Sequence, residues 1–469
     1  MSDSMFTLRS LMPASADEVY DWHARPVALP RLTPPWERVT VAGREGVFGT
    51  PGYRVRVRAK VLGPVAGTWV AEHPSFVPGR EFRDVQVSGP FARWEHTHRM
   101  TPDGLDTSFL EDQVEYRLPL GPPGRLLGGG LVARRLAALF AYRHALTASD
   151  LRRHRAFRDR PRLRVAVTGS RGLLGSDLAL FLAGGGHTVV RLVTGVAPKP
   201  AFDDGTEAVP WNPTAPVDPA VLSGCDAVVH LAADNIASGR WTARKRRSVR
   251  DSRVIPTRHL AEAVAKLPPD RRPRVFLSAS GAGVYGDRAD DVLAEESSAG
   301  AGFLADVCRE WEAAAEPAAA AGARVAFLRS GVVLSPRSGA LAKQLPAFRA
   351  GGGAVLGAGR HWLPWITPGD WVGAVHHVLM TDALAGPVNV TAPNPVTNRD
   401  FTHALARVLR RPAFLRLPRP VLRLLFGAIA DGALLTSLRV VPRKLLESGF
   451  AFDHPDLEPA LRFVLGRTR

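Results

Sequence analysis

The chain has 469 residues, of which 45% are hydrophobic and 22% charged, a balance that excludes an intrinsically disordered protein. Its length predicts about two to four domains with ample core. The formal net charge of +17 comes from 55 arginines against six lysines spread along the whole sequence, a compositional bias that argues against a nucleic-acid partner.

The first ten residues, MSDSMFTLRS, lack the apolar core of a signal peptide. Ser15-Ala16-Asp17-Glu18 forms a capping box that opens a short helix through Trp22. Strands then dominate. From Tyr53 to Val61, Tyr53, Val55, Val57, Ala59 and Val61 alternate with Arg54, Arg56, Arg58 and Lys60, the pattern of a half-buried strand. Further strands are predicted at 68–72, 81–87, 91–100 and 108–118, separated by turn residues such as Pro78-Gly79 and Pro102-Asp103-Gly104. An amphipathic helix from Leu131 to Arg153, with Leu136, Leu139, Phe140 and Leu146 on its apolar face, closes the region. Trp94, His96, His98 and Met100 share one strand face. Paired histidines at this spacing suit a metal, but no third ligand stands out in the sequence, so no metal is expected.

An antiparallel sheet wrapped on one long helix is the helix-grip plan. This layout, with Phe140-Ala141-Tyr142-Arg143-His144, resembles the START-like, Bet v 1-like (SRPBCC) superfamily. The resemblance implies an apolar cavity and a hydrophobic ligand.

The basic run Arg152–Arg164 reads as a linker, and Arg240–Arg253 as a solvated helix face. Between them, Val165-Ala166-Val167 leads into Thr168-Gly169-Ser170-Arg171-Gly172-Leu173-Leu174-Gly175 and an apolar helix, followed by a strand at 188–193. Strand, glycine-spaced turn and helix, in that order, are the opening unit of a dinucleotide-binding fold. The helix N-terminus offers unpaired N–H groups to a pyrophosphate. Arg171 suits the 2′-phosphate of NADP(H), and Thr194, at the end of the second strand, is neither acidic nor basic; NADP is expected, with NAD possible. The apolar run 227–230 ends in Leu231-Ala232-Ala233, small enough to leave room for a cofactor. His230 within it reads as a core histidine. The strand at 274–280 carries Ser278 and Ser280 and leads to Tyr285; Arg324–Arg329 is the next strand. Alternating strands and helices predict a doubly wound parallel sheet. Cys225 and Cys308 are the only cysteines and fit a reducing compartment. No apolar run is long enough to cross a membrane.

These segments resemble an extended short-chain dehydrogenase/reductase (SDR). Asn235-Ile236-Ala237, Gly239-Arg240-Trp241, Trp311-Glu312, Leu328-Arg329-Ser330-Gly331, Trp365-Ile366-Thr367, the run from Asn389 to Asn398 and Val441-Pro442-Arg443-Lys444 narrow the resemblance to its NAD(P)-binding epimerase-family branch, which has a small C-terminal domain. The implied division is a ligand-binding helix-grip domain at 1–155, a basic linker at 156–163, a Rossmann domain at 164–388 and an α-rich substrate or cap domain at 389–469. The implied activity is an NADP(H)-dependent oxidoreductase or epimerase on a small-molecule substrate, in the cytoplasm. The implied cofactor residues are Thr168 to Gly175, Thr194, Leu231, Ala232, Ala233 and Ser278; Asn235, Arg240 and Trp241 border the substrate.

The Tyr-x-x-x-Lys pair of this superfamily is missing: Phe303 and Val307 stand in its place. Tyr285 and Ser280 are the candidates to act instead. The alternative is a non-catalytic, ligand-sensing NADP(H)-binding protein.

Overall fold

The computed structural model describes residues 3–37, 39–59, 67–195 and 204–467. Seven antiparallel strands form the first sheet: β1 (Ser4–Met12), β2 (Val39–Glu45), β3 (Tyr53–Ala59), β4 (Gly67–Val77), β5 (Glu81–Ser88), β6 (Arg93–Pro102) and β7 (Ser108–Arg117). Their order is β1-β7-β6-β5-β4-β3-β2. The expected arginine–valine strand is β3; Lys60 and Val61 lie outside the described residues. β1 and β2 are additions to the sequence reading, and β1 pairs with β7 from Ser4↔Tyr116 to Met12↔Ser108. Helix α1 (Ala16–Ala24) starts on the expected capping box at Ser15 and Glu18, and a single turn, α2 (Ala28–Arg31), follows.

Helix α3 spans Gly121–Arg155, so it begins well before Leu131. Its first turns, GPPGRLLGGG, hide the helix from a propensity reading. Proline is nevertheless tolerated in a first turn, where its missing N–H removes no helical bond. Phe140 and Leu136 of α3 pack with Trp94, Val114 and Tyr116 of the sheet. Between sheet and helix lies a cavity of about 510 Å³, walled by aromatic side chains such as Phe48, Trp69, Phe82 and Phe91.

The second sheet holds β8 (Arg164–Thr168), β9 (Thr188–Val193), β10 (Glu207–Pro210), β11 (Ala227–His230), β12 (Val275–Gly281), β13 (Arg324–Ser330) and β14 (Gly386–Val390). All are parallel, in the order β10-β9-β8-β11-β12-β13-β14. This is the expected doubly wound sheet. The winding reverses between β8 and β11, and such a switch point opens a crevice at the strands' C-terminal ends. Helices α4 (Leu173–Gly184), α5 (Ala243–Lys266) and α6 (Phe303–Ala313) flank it. Leu178, Phe181 and Leu182 of α4 are fully buried with Trp371 and Val375 on one face of the sheet; Leu260 and Val264 of α5 pack on the other. The C-terminal segment adds the amphipathic helix Asn398–Leu409 and the helix Leu457–Val464, packed together through Leu405 and Leu461.

The run from Arg152 to Arg155 is not a linker. α3 continues through it, and its arginines dock the first sheet's unit on the second. Buried Arg153 donates to Asp370 at 2.7 Å, Ser149 donates to Asp453 at 2.6 Å, and Tyr142 stacks on Phe463 with centroids 4.9 Å apart. Arg31 of α2 braces the same helix through Asp150, both side chains buried.

Candidate functional site

The glycine loop joins β8 to α4, at the switch point. Gly169 has φ +65°, and a Cβ there would sit 2.8 Å from the Leu231 carbonyl carbon. A Cβ on Gly175 would lie 2.3 Å from Gly169 O. Both glycines are therefore demanded by the chain's own packing. Gly172 differs. It is exposed, and its Cβ would meet only Gly169 O, at 3.2 Å. Gly172 is less constrained: a Cβ would press on Gly169 O but meet nothing else, so the exposed side of this residue is free for a ligand that approaches the backbone.

Thr168 fixes the floor of this loop. Its Oγ1 accepts from the N–H groups of Leu231 (2.9 Å) and Ala232 (3.2 Å) and donates to His230 Nδ1 at 2.7 Å. His230 is a core histidine as expected, pushed down to about 3 by burial, with Nε2 left without a partner among the described residues. Ser170 is buried and its Oγ is also without a partner there. Leu173 and Leu174 open α4 with Gly172 as N-cap. Arg171 is exposed and donates to the Thr194 carbonyl at 3.0 Å, so the two residues flank one end of the crevice together. Sequence reasoning missed Arg191, buried in β9, which donates to the Ser170 carbonyl at 3.0 Å and pairs with Asp204 at 2.5 Å. It stiffens the loop from below.

At the other end of the crevice, Ser278 is fully buried and donates to its neighbour's carbonyl at 3.1 Å. Ser280 and Tyr285 belong to one buried network. Ser280 Oγ donates to Glu312 Oε1 at 2.7 Å, and Arg329 grips the same carboxylate with two bonds of 2.9 and 2.8 Å. Arg329 also donates to the Tyr285 hydroxyl at 3.1 Å, and that hydroxyl donates to Asn389 Oδ1 at 2.7 Å. Tyr285 is 0% exposed, and burial raises its pKa despite the adjacent guanidinium. The Tyr285 proton is directed at Asn389 and not at the crevice, which bears on both roles open to this residue, acid or wall. Glu312 and Arg329 appeared in the sequence only as motif letters; their parallel-strand and helix positions unite them with Ser280. Asn389 continues the network, donating Nδ2 to Val441 O and its backbone N–H to Glu295, both at 3.0 Å. The family-like letters at 389 and 441–444 thus staple the C-terminal segment to the sheet.

At the positions of the absent pair, Phe303 packs edge-on against Trp241, centroids 5.2 Å apart, and Val307 is buried. Trp241 donates to Ile236 O at 2.8 Å and abuts Gly432, so it packs the C-terminal segment onto the sheet domain. Arg240 donates to Leu424 O of the same segment at 2.8 Å; Asn235 is exposed and turns its own loop by accepting from Ala237 N–H at 2.9 Å.

One expectation for the first unit also changes. The sequence offered no third group beside His96 and His98, but strand pairing supplies several. Asp84 of β5 lies opposite His96, and Asp112 of β7 opposite His98.

A doubly wound sheet with this loop at its switch point defines a nucleotide-binding protein of SDR type. The sequence comparisons narrow the class. Residues 165–391 match the NAD dependent epimerase/dehydratase family, 12–140 match the family described as polyketide cyclase/dehydrase and lipid transport, and 417–464 match a domain of unknown function, DUF1731. The epimerase family protein Mb2239 of Mycobacterium bovis is 43% identical over 304 residues, covering 65% of this chain and 98% of the relative. The human epimerase family protein SDR39U1 is 33% identical over 306 residues, all of its length. The chain belongs to the epimerase family. Its fold is similar along 98% of its length to a crystal structure described as the nucleoside-diphosphate sugar epimerase from Corynebacterium glutamicum (TM-score 0.78, 32% identity, 90% of that chain). A structure of human SDR39U1 with NADPH covers 65% of this chain and 99% of its own (TM-score 0.57, 30% identity). Among the described residues, no helix is long and apolar enough to cross a membrane.

Proposed function

We propose that the chain is an NADP(H)-dependent oxidoreductase or epimerase with an atypical acid/base site, acting on a small-molecule substrate, and that its helix-grip unit binds a hydrophobic ligand. The observation that carries the nucleotide assignment is the contrast among three glycines. Packing strictly requires Gly169 and Gly175, whereas Gly172 is exposed and only its contact with Gly169 O, 3.2 Å from a Cβ, opposes a side chain. The orphaned Ser170 hydroxyl and the α4 N-terminus suit a pyrophosphate there. Thr168 to Gly175, with Leu231, Ala232 and Ala233, form the cradle; Arg171 and Thr194 stand at the adenosine end and Ser278 at the nicotinamide end. The NADPH held by the human relative supports the choice of phosphate-bearing cofactor.

The bound nicotinamide would supply or accept a hydride. The chain must then move a proton. Ser280, held by Glu312, and Tyr285, held by Asn389 and Arg329, are the candidate proton carriers, with Asn235, Arg240 and Trp241 bordering the substrate. The proposed division remains 1–155, 156–163, 164–388 and 389–469. Calorimetric titration with NADPH and NADH, followed by NADPH oxidation against carbonyl compounds and sugar nucleotides, tests this reading. Absence of nucleotide binding overturns it. A second reading, nucleotide binding without turnover, is favoured by the commitment of the Tyr285 hydroxyl; binding with no oxidation of any panel member selects it.

A further inference from the structure

The inner face of the first sheet carries a polar cluster at one wall of the otherwise aromatic cavity. Asp84 (β5), His96 and His98 (β6) all line the cavity. Antiparallel pairing sets Asp84 opposite His96, and the two-residue period of β6 puts His98 on the same face. His96 Nδ1 lies 3.1 Å and His98 Nε2 3.9 Å from the same oxygen, Asp84 Oδ2. One ligand atom from each of the three residues falls within 4.8 Å of the others. The remaining ring nitrogens turn away from this point toward a single carboxylate. His96 Nε2 is 3.0 Å and His98 Nδ1 2.5 Å from Asp112 Oδ1. Asp112 is 2% exposed, and its second oxygen meets His144 Nε2 of α3 at 2.6 Å. His144 is in turn held by Ser10 at 2.8 Å.

We propose that Asp84, His96 and His98 form a binding site for a divalent first-row transition-metal ion, with coordination positions open to the cavity. Two imidazoles and one carboxylate on adjacent strands are a donor set that such ions accept while retaining sites for a further ligand. A ligating histidine generally bonds its other nitrogen to a carboxylate, which fixes the ring and its tautomer; Asp112 does this for His96 and lies against Nδ1 of His98. Charge is also accommodated. Asp84 and Asp112 offset the ion, while Arg143, which lines the same cavity, leaves room for an anionic oxygen in the open positions. The apolar walls select the rest of that molecule: a hydrophobic compound bearing a carboxylate or enolate at one end.

A second histidine group, His154, His187 and His376, lies at the junction of the two sheet-containing units. It is a poorer site. His187 Nδ1 accepts the Leu163 N–H at 3.0 Å, so in the neutral ring Nε2 holds the proton and offers no lone pair. Arg25, Arg153 and Arg162 act on this group, with no carboxylate among the main influences on His154 or His376.

The test uses the full-length protein, stripped with a chelator and titrated with Co²⁺, then with Zn²⁺ in competition. One equivalent of Co²⁺ should bind with a visible ligand-field spectrum, and Zn²⁺ should displace it. His98→Gln and Asp84→Asn should abolish the spectrum while NADPH binding and the circular dichroism stay as in the parent. Asp112→Asn, which keeps every ligand, should weaken binding about 10–100-fold. His376→Gln should change nothing. Failure of the unaltered protein to bind either ion overturns the proposal, whatever the variants do. So does a spectrum that survives His98→Gln, or one that His376→Gln removes.

Discussion

Arg153 and Asp370 form a buried ion pair of 2.7 Å between α3 and the helix Pro368–Met380, with side chains 7% and 0% exposed. The pair sits where the helix-grip unit meets the Rossmann unit, and both members make further bonds, although Arg153 Nε has no partner among the described residues. Arg153 donates to Gly369 O at 2.6 Å, and Asp370 accepts from Asp453 N–H at 2.8 Å. Removing Arg153 leaves the buried Asp370 carboxylate without its cation, which costs about 3–5 kcal/mol, whereas Arg153 freed of Asp370 still pairs with Asp453 at 2.8 Å. Arg153→Ala should therefore lower the denaturant midpoint of the full chain by that order. Arg153→Ala with Asp370→Ala should cost clearly less than the two singles added, because the buried Asp370 carboxylate is removed together with its cation. Strict additivity in a double-mutant cycle would show that the two groups do not depend on each other.

Acid should loosen the same junction. Burial and the neighbouring arginines hold His154 and His376 well below their ordinary 6.5, and His187 at about 4. All three are neutral in the folded chain and gain protons on unfolding once the pH drops below about 6.5. Their contribution is complete above that value and is lost as pH falls toward 4, by up to about 1.4 kcal/mol per histidine per pH unit. Melting temperatures measured from pH 8 to 5 should fall below pH 6.5. In His154→Phe, which preserves the stacking on Phe181, the fall should be shallower. An identical slope in this variant would remove His154 from the account.

Local chemistry made much of this fold legible. The glycine loop announces itself because backbone conformation and close approach are decided within a few residues. The arginine–valine alternation of β3 is legible because one face is wet and the other dry. Features that depend on register were hidden. His96 and His98 are visible as a pair, but Asp84 and Asp112 join them only when β5 and β7 are placed beside β6. Ser280, Glu312 and Arg329 lie on a strand, a helix and a neighbouring strand, and no spacing rule connects them. Arg153 looked like the start of a basic linker because composition cannot show that Asp370, far along the chain, waits opposite. The start of α3 was masked by glycines and prolines whose poor helix propensity is overcome by the rest of a long helix.

Gly172 and Gly175 should separate binding from folding. Gly172→Val adds a side chain at an exposed position whose Cβ presses only on Gly169 O, at 3.2 Å, so it should disturb the fold less than Gly175→Ala while lowering NADPH affinity by calorimetry. Gly175→Ala drives a methyl group to 2.3 Å from Gly169 O, so it should lower thermal stability as well. Unchanged NADPH affinity in folded Gly172→Val would remove the pyrophosphate from this loop.

Arg171 is poised to read the phosphate that distinguishes NADP from NAD. Its guanidinium is exposed and bonded only to a carbonyl, the Thr194 oxygen, in the hydrogen bonds observed. A charged hydrogen bond contributes about 1.5–3 kcal/mol, so Arg171→Ala should weaken NADPH by that amount and leave NADH nearly unaffected. Equal losses for both nucleotides would mean that Arg171 acts on the loop and not on the phosphate.

Turnover on simple aldehydes, ketones and sugar nucleotides should be weak. Positioned acid–base catalysis contributes about 10²–10⁴-fold, and the groups that supply it in related enzymes are replaced by Phe303 and Val307. Tyr285 cannot readily fill the gap. Burial raises its pKa, and its hydroxyl is held by both Asn389 and Arg329. Ser280 is better connected to a carboxylate, but that carboxylate, Glu312, is already gripped by Arg329 through two bonds. Residual activity that runs through the network should fall at least tenfold in Ser280→Ala, the roughly tenfold being a small part of the catalytic range above. Tyr285→Phe should lower stability along with any rate, since it leaves buried Asn389 and Arg329 groups short of a partner. Phe303→Leu removes no proton donor and should leave kcat within a few-fold of the parent. Robust turnover that persists in the Ser280→Ala, Tyr285→Phe double variant would assign the proton to a residue outside this network, and Asn235 and Arg240 at the cap boundary would be the next to replace.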